Sequence, residues 1–203
     1  GWDDSAYLTE NYRVHQLSWA NVADYFRLSP QLGPMPNAQY TPLVELSYAI
    51  EYRFFGMNPM AYHATNLALH VLNTLLVFWF VLRLWQSHPK ADVPAVPLAF
   101  LVAAFFAVHP LHVESVAWIT QQKTLLSTLL YGMSLHALLR FSDGDGHGWG
   151  AASILAFAAA LLAKSSVLVL PVVALLCFWR AHGAVTKRHL AMVVPFVVLA
   201  AVQ

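Results

Sequence analysis

The stretch His109-Pro110-Leu111-His112-Val113-Glu114-Ser115 sets two imidazoles and a carboxylate between two long apolar runs. Ionisable groups placed near hydrocarbon are costly, about 2.5–3.5 kcal/mol for a charge at the centre of a span, and are read as functional by default. A proline and a plain turn would reverse the chain without them. Three other groups carry chemistry that could join this one. Trp2-Asp3-Asp4-Ser5 holds an acidic pair able to act as a general base or to ligate a hard cation. The same residues would equally make a solvated turn or a helix cap. His63, Asn66, His70 and Asn73 follow at intervals of three, four and three, which makes one narrow polar stripe on a helix. For Asn73, deep in its apolar run, interhelical hydrogen bonding is the favoured role. His63 and Asn66, near the outer end, suit a cavity lining. Lys123 and Lys164 supply ammonium groups that either snorkel to headgroups or hold a lipid phosphate and stabilise its leaving charge.

The spacing of His109, His112 and Glu114 does not follow a zinc pattern, and no fourth ligand is evident. No metal ligand is therefore assigned, although an assisting divalent cation is left open. Glu114 is expected to act as a catalytic partner or a substrate-orienting carboxylate; its alternative is a hydrogen-bonding brace between turns. His109 and His112 take positioning roles beside it.

The elements that must hold these groups are apolar helices. Of the 203 residues 59% are hydrophobic and 10% charged, with a mean hydropathy of +0.55. An ordinary soluble domain is about 25% charged, so the chain has too few charges to clothe a water-facing surface. A formal net charge of +1 without a basic stripe gives no reason to expect nucleic acid. The single cysteine, Cys177, excludes a disulfide framework. A span needs about 20 mostly apolar residues, and six runs approach this: Tyr62–Trp85, Val96–Val108, Leu125–Phe141, Trp149–Ala163, Val167–Arg180 and Leu190–Val202. The expected fold is an all-α, polytopic membrane bundle over residues 60–203.

Residues 1–59 differ: they are acidic, proline-rich and without a continuous apolar run. They read as a large non-cytoplasmic loop carrying two amphipathic helices, a short one at Asn21–Phe26 and a longer one at Pro42–Phe55. In the longer one Leu43, Leu46, Ala49 or Ile50, and Phe54 recur at helical spacing, the pattern of a helix lying in the membrane interface. Arg83 and Lys90, then Arg140, then Arg180, Lys187 and Arg188 fall in alternate loops, which the positive-inside rule assigns to the cytoplasm. Asp3, Asp4, Glu45, Glu51, Glu114 and the Lys164 turn then share the opposite face. A span is expected before Trp2, and the chain reads as cut at both ends.

With these residues in view, five blocks resemble the membrane half of the transmembrane-and-TPR-repeat glycosyltransferases. They are Trp2–Leu8, Tyr40–Tyr48, Phe55–Asn73, His109–Trp118 and Leu162–Pro171, in order along nearly the whole chain. That family is similar to protein O-mannosyltransferases and belongs to the GT-C class. The resemblance implies a multi-span enzyme that moves a sugar from a polyprenyl-phosphate donor to a hydroxyl, with a protein acceptor, on the lumenal or periplasmic face. Its first acidic position, acting at the acceptor, corresponds to Asp3, its second to Asp4, and that of the second outer motif to Glu114. It implies TPR repeats beyond Gln203, and a home in the bacterial inner membrane or the endoplasmic reticulum. Thr41 and Gln121-Gln122-Lys123-Thr124 carry less charge than the family pattern, which bears on phosphate binding rather than on fold. A transporter or flippase-like lipid-sugar binder using the His63–Asn73 stripe is the alternative. A haem or metal redox protein built on the histidines is a third reading.

Overall fold

The computed structural model describes residues 4–27, 40–86 and 93–202. Asp3 of the acidic pair, Lys90, and the bend prolines Pro30, Pro34 and Pro36 lie outside the described residues. Those described are helical throughout, without strands: α1 (Trp19–Tyr25), α2 (Pro42–Phe55), α3 (Pro59–Gln86), α4 (Ala95–Val108), α5 (Val113–Ala117), α6 (Gln122–Asp143), α7 (His147–Ala163), α8 (Leu170–His182) and α9 (Lys187–Val202). Helical turns at Ser5–Thr9, Pro110–His112, Ile119–Gln121 and Ser165–Val169 join them.

Local sequence sets the boundaries. Ser18 caps α1, its hydroxyl accepting from the Asn21 amide at 3.2 Å. Pro42 opens α2, where its missing N–H costs nothing. Gly144 closes α6 in the left-handed conformation, at a φ of 95°, that glycine adopts without strain.

All six apolar runs form helices, and α3 extends further than its run at both ends. Among the described residues two helices are both long and apolar enough to cross a bilayer, Pro59–Gln86 and Ser165–His182. A third span follows if Ala95–Val108 and Pro110–Ala117, bent by 49°, count as one. The remaining runs differ for separate reasons. α7 is apolar but has 17 residues, α9 has 16, and the 22-residue α6 carries polar groups along its first turn. The chain is a helical integral membrane protein.

Hydrogen bonds from polar side chains tie the bundle together, as they do where lipid offers backbone groups no partner. Asn73 on α3 donates to the Leu125 carbonyl on α6 at 3.0 Å, and His70 lies 3.0 Å from the Ala107 carbonyl at the end of α4. Ser134 and Ser153 bind reciprocally across α6 and α7, each hydroxyl donating to the other's backbone carbonyl at 2.8 and 2.7 Å. One core cluster, built around Leu138, Phe157, Leu170, Phe178 and Phe196, fills the space among α6 to α9. A second joins Val14, Tyr25, Val44, Tyr48 and Tyr62 to Ala163, docking the first segment on one end of the bundle.

That docking fixes which face of α2 packs. The face that packs is Val44, Glu45, Tyr48, Ala49 and Glu51, all buried. Ile50, Phe54 and Phe55, on the apolar stripe and at its end, are exposed instead.

Candidate functional site

Charged groups gather at two opposite ends of the bundle. At one, Arg83 meets Asp143 at 2.5 Å, Arg140 meets Asp145 at 2.7 Å, and the Arg140 guanidinium lies 4.3 Å above the Trp149 ring. At the other end the docked first segment, the α4–α6 connection and the α7–α8 turn come together. This second end holds Asp4, Glu51, His63, Glu114, Lys123 and Lys164.

Asp4, His63 and Glu114 line one cavity of about 410 Å³, walled otherwise by Val113, Ala117, Trp118 and Ile119. Three distant segments contribute, and the docked first segment supplies Asp4. The contact that brings Asp4 in is specific: the Thr120 amide donates to its Oδ1 at 3.2 Å. Glu114 accepts from the Gln121 side-chain amide at 3.3 Å. The Thr124 hydroxyl donates to the other end of that amide at 2.7 Å, and the Lys164 ammonium donates to the Thr124 hydroxyl at 2.9 Å. Lys123 sits beside them, its ammonium 5.5 Å from the centre of the Tyr7 ring, within reach of a cation–π attraction. Burial holds the Lys164 ammonium below its ordinary pKa; Lys123 lowers it further, and Glu114 opposes both.

The other sequence-predicted residues go elsewhere. Asn66 is fully buried, and its amide donates to the Trp118 carbonyl at 3.0 Å and the Val116 carbonyl at 3.4 Å. It holds the backbone that forms the cavity wall. His109 and His112 face a separate cavity of about 300 Å³ together with His70, Leu67 and Val116. The His70 and His112 rings lie 5.4 Å apart, and the His109 Nδ1 accepts from the Leu111 amide at 3.3 Å. The two cavities adjoin through Val113 and Ala117, which line both. Among the described residues no three His, Cys or carboxylate side chains converge closely enough to hold a metal ion.

Sequence reasoning placed Glu51 on this face and named Gln121, Gln122 and Thr124 as a stretch of reduced charge, but gave none of the four a role in the site. The Gln122 amide donates to the Glu51 carboxylate in a short hydrogen bond, both residues being buried. Burial raises the Glu51 pKa to about 7, against the lowering effect of hydrogen bonds from Gln122 and Thr65. Glu45, one and a half turns earlier, is raised by burial as well, with Arg13 at 3.5 Å pulling the other way. The available signal was the spacing of Val44, Tyr48 and Glu51, a helical stripe as regular as the apolar one.

No family model matches the chain, and no solved structure matches it. Curated relatives do. Protein O-mannosyl-transferase TMTC1 of Mus musculus is 33% identical over 127 residues, 63% of this chain and 13% of that protein. Its Homo sapiens counterpart is 37% identical over 127 residues, 63% of this chain and 14% of the relative. Protein O-mannosyl-transferase Tmtc2 of Drosophila melanogaster is 32% identical over 166 residues, 77% of this chain and 17% of the relative. The chain thus spans about one seventh of the length of the curated relatives it matches. They are the family that the five sequence blocks resemble.

Proposed function

Since its relatives are protein O-mannosyl-transferases, we propose that this chain is the membrane part of a glycosyltransferase that moves mannose, or another hexose, from a polyprenyl-phosphate donor to a protein serine or threonine hydroxyl. The observation that carries the reading is one end of the bundle where Asp4 and Glu114 line a cavity and Lys164 is hydrogen-bonded, through two neutral side chains, to Glu114. Carboxylates and ammonium groups side by side at a membrane surface match the two charges such a transfer develops. A proton must leave the attacking hydroxyl, and a phosphate must accept the electrons of the broken glycosidic bond.

In this reading Asp3 or Asp4 accepts the hydroxyl proton as the oxygen attacks the anomeric carbon. Lys164 and Lys123 stabilise the departing polyprenyl phosphate, and Glu114 orients the acceptor. His63 lines the cavity near the carboxylates; His109 and His112 belong to the adjoining cavity, on the donor side. A single displacement inverts the anomeric centre. A divalent cation is not required by this scheme, since the lysines already offset the phosphate charge. The carboxylate end faces the lumen of the endoplasmic reticulum or the bacterial periplasm, opposite the arginine-rich end.

The test is mannosyl transfer from a polyprenyl-phosphate donor to a protein acceptor by the full-length protein. Asp3→Asn, Asp4→Asn and Glu114→Gln are compared with the parent. Loss of a general base lowers turnover by about 10²–10⁴-fold. Turnover unchanged in both aspartate variants overturns the base assignment. No sugar transfer by the parent under any donor, with uptake of lipid-linked sugar into liposomes instead, supports the transporter alternative.

A further inference from the structure

Four side chains from three separate segments form a single directed chain of hydrogen bonds at the carboxylate end. The Lys164 ammonium donates to Thr124 Oγ1 at 2.9 Å, that hydroxyl donates to Gln121 Oε1 at 2.7 Å, and Gln121 Nε2 donates to Glu114 Oε1 at 3.3 Å. Its direction is forced by chemistry. An ammonium has no lone pair, so the Thr124 hydroxyl must accept from Lys164 and turn its own hydrogen to Gln121. The Gln121 amide must then present its oxygen to Thr124 and its NH₂ to Glu114, because the reverse orientation would set a carbonyl against a carboxylate. Each donor therefore points from the cation toward the anion, the arrangement in which successive bonds polarise and strengthen one another.

We propose that Gln121 and Thr124 are positioning residues that couple the state of the Lys164 ammonium to the orientation of the Glu114 carboxylate. The inference rests on the reading of Lys164 as a phosphate anchor only for its consequence in catalysis; the coupling itself needs no ligand. Lys164 sits at the turn between α7 and α8, whereas Glu114 opens α5. Gln121 and Thr124 flank the start of α6, which both segments touch. Before a phosphate arrives, the ammonium is engaged by a neutral hydroxyl. An anion that draws the ammonium away removes the first donor of the chain. Thr124 is then free to rotate, and Gln121 no longer holds Glu114 in one orientation. Occupancy by the lipid phosphate at one group is thereby reported to the carboxylate at the other. The coupling is reciprocal, since any change at Glu114 must shift anion affinity at Lys164 by the same factor. Gln121 and Thr124 are uncharged, so they pass this signal without presenting a competing charge to either substrate.

The test measures the rate at which a water-soluble carbodiimide with glycine ethyl ester labels Glu114 in the full-length detergent-solubilised protein, read by mass spectrometry. Lys164→Met, Thr124→Val and the double variant are compared with the parent without ligand, and far-ultraviolet circular dichroism checks that each is folded. Each single variant is expected to change the Glu114 rate by at least about twofold, the lower end of coupling between contacting residues, and the double variant to match the singles rather than to sum them. Thr124→Ser, which keeps the hydroxyl, restores the parent rate. Additive effects, or a Glu114 rate indifferent to Thr124→Val, overturn the proposal. A second arm adds a short-chain polyprenyl monophosphate. The phosphate should alter Glu114 labelling in the parent and in Thr124→Ser but not in Thr124→Val. If it fails to protect Lys164 from acylation, the phosphate-anchor reading falls, while the ligand-free cycle still decides the relay.

Discussion

At Glu51 a carboxyl has been withdrawn from water into the seam between the docked loop and α6, and its pKa stands at about 7 rather than 4.5. For an acid, a raised folded-state pKa means that the folded protein binds a proton that the unfolded chain has already lost. Between pH 4.5 and 7 stability therefore falls as pH rises: the contribution is intact below the unfolded pKa and gone above the folded one. Glu51→Gln keeps an acceptor for the Gln122 amide and removes the proton equilibrium. Its unfolding free energy relative to the parent should rise between pH 5 and 8, with a swing of about 1–3 kcal/mol, seen as a rising difference in melting temperature. A parent-to-variant difference that is flat across this range would show that Glu51 does not titrate there. Glu114, by contrast, was legible in the sequence because a charge between two apolar runs has few structural excuses. Gln121 and Thr124 were not, since an amide and a hydroxyl at the head of a helix are ordinary, and only the distances to Glu114 and Lys164 give them a role.

At the scale of elements, small residues let α6 and α7 approach closely beside the bulky core of Leu138 and Phe157. The reciprocal Ser134–Ser153 pair lets two backbones approach, and a Cβ added at Gly150 would lie 3.2 Å from the Phe141 ring. Replacing either serine with alanine removes the bond its own hydroxyl donates and the 3.2 Å contact between the two hydroxyls, while the partner hydroxyl still donates to a backbone carbonyl that alanine retains. A Ser134→Ala, Ser153→Ala cycle measured by thermal unfolding in detergent should therefore yield a coupling of about 0.6 kcal/mol, the average for such bonds in a membrane bundle. Zero coupling would show that the two hydroxyls act independently, each through its own backbone carbonyl. The helices themselves were readable from the sequence because apolar runs of this length must close their own backbone hydrogen bonds in lipid. What the other face of α2 packs against was not, because Val44, Glu45, Tyr48 and Glu51 mix apolar and acidic groups that periodicity alone does not read as a docking face. Tyr48 settles it: its hydroxyl reaches the Ile119 carbonyl at 3.3 Å, seventy-one residues away, a contact that no local periodicity encodes.

For the whole molecule, two polar ends separated by an apolar middle make a prediction about sidedness. Cys177 is buried, so a Cys177→Ala background accepts single reporters at exposed positions, Ser166→Cys beside Lys164 and Gly148→Cys, where a Cβ meets open space, beside the arginine-rich end. In sealed vesicles a membrane-impermeant maleimide should reach one of them from outside and the other only after permeabilisation. Equal labelling of both in sealed vesicles would overturn the arrangement. Loop charges make this division an expectation of the sequence, because Arg83 and Arg140 alternate with the carboxylate-bearing turns. Closure of the cavity by Asp4 was out of reach of that argument: it depends on an amide at Thr120, and backbone donors leave no mark on composition.

The bend of 49° between Ala95–Val108 and Pro110–Ala117 bears on the lipid as well as on the protein. The 14 residues of α4 rise about 21 Å at 1.5 Å each, against a hydrocarbon core of about 30 Å. To match α4 by itself, a bilayer would thin toward it or draw the flanking residues inward, at a cost of fractions of a kcal/mol per ångström. The depth at which Glu114 meets the interface is then set partly by the length of the surrounding acyl chains. Thick membranes would submerge that carboxylate and thin ones would lift it clear, so that bilayer composition itself becomes a variable in how the candidate site meets water.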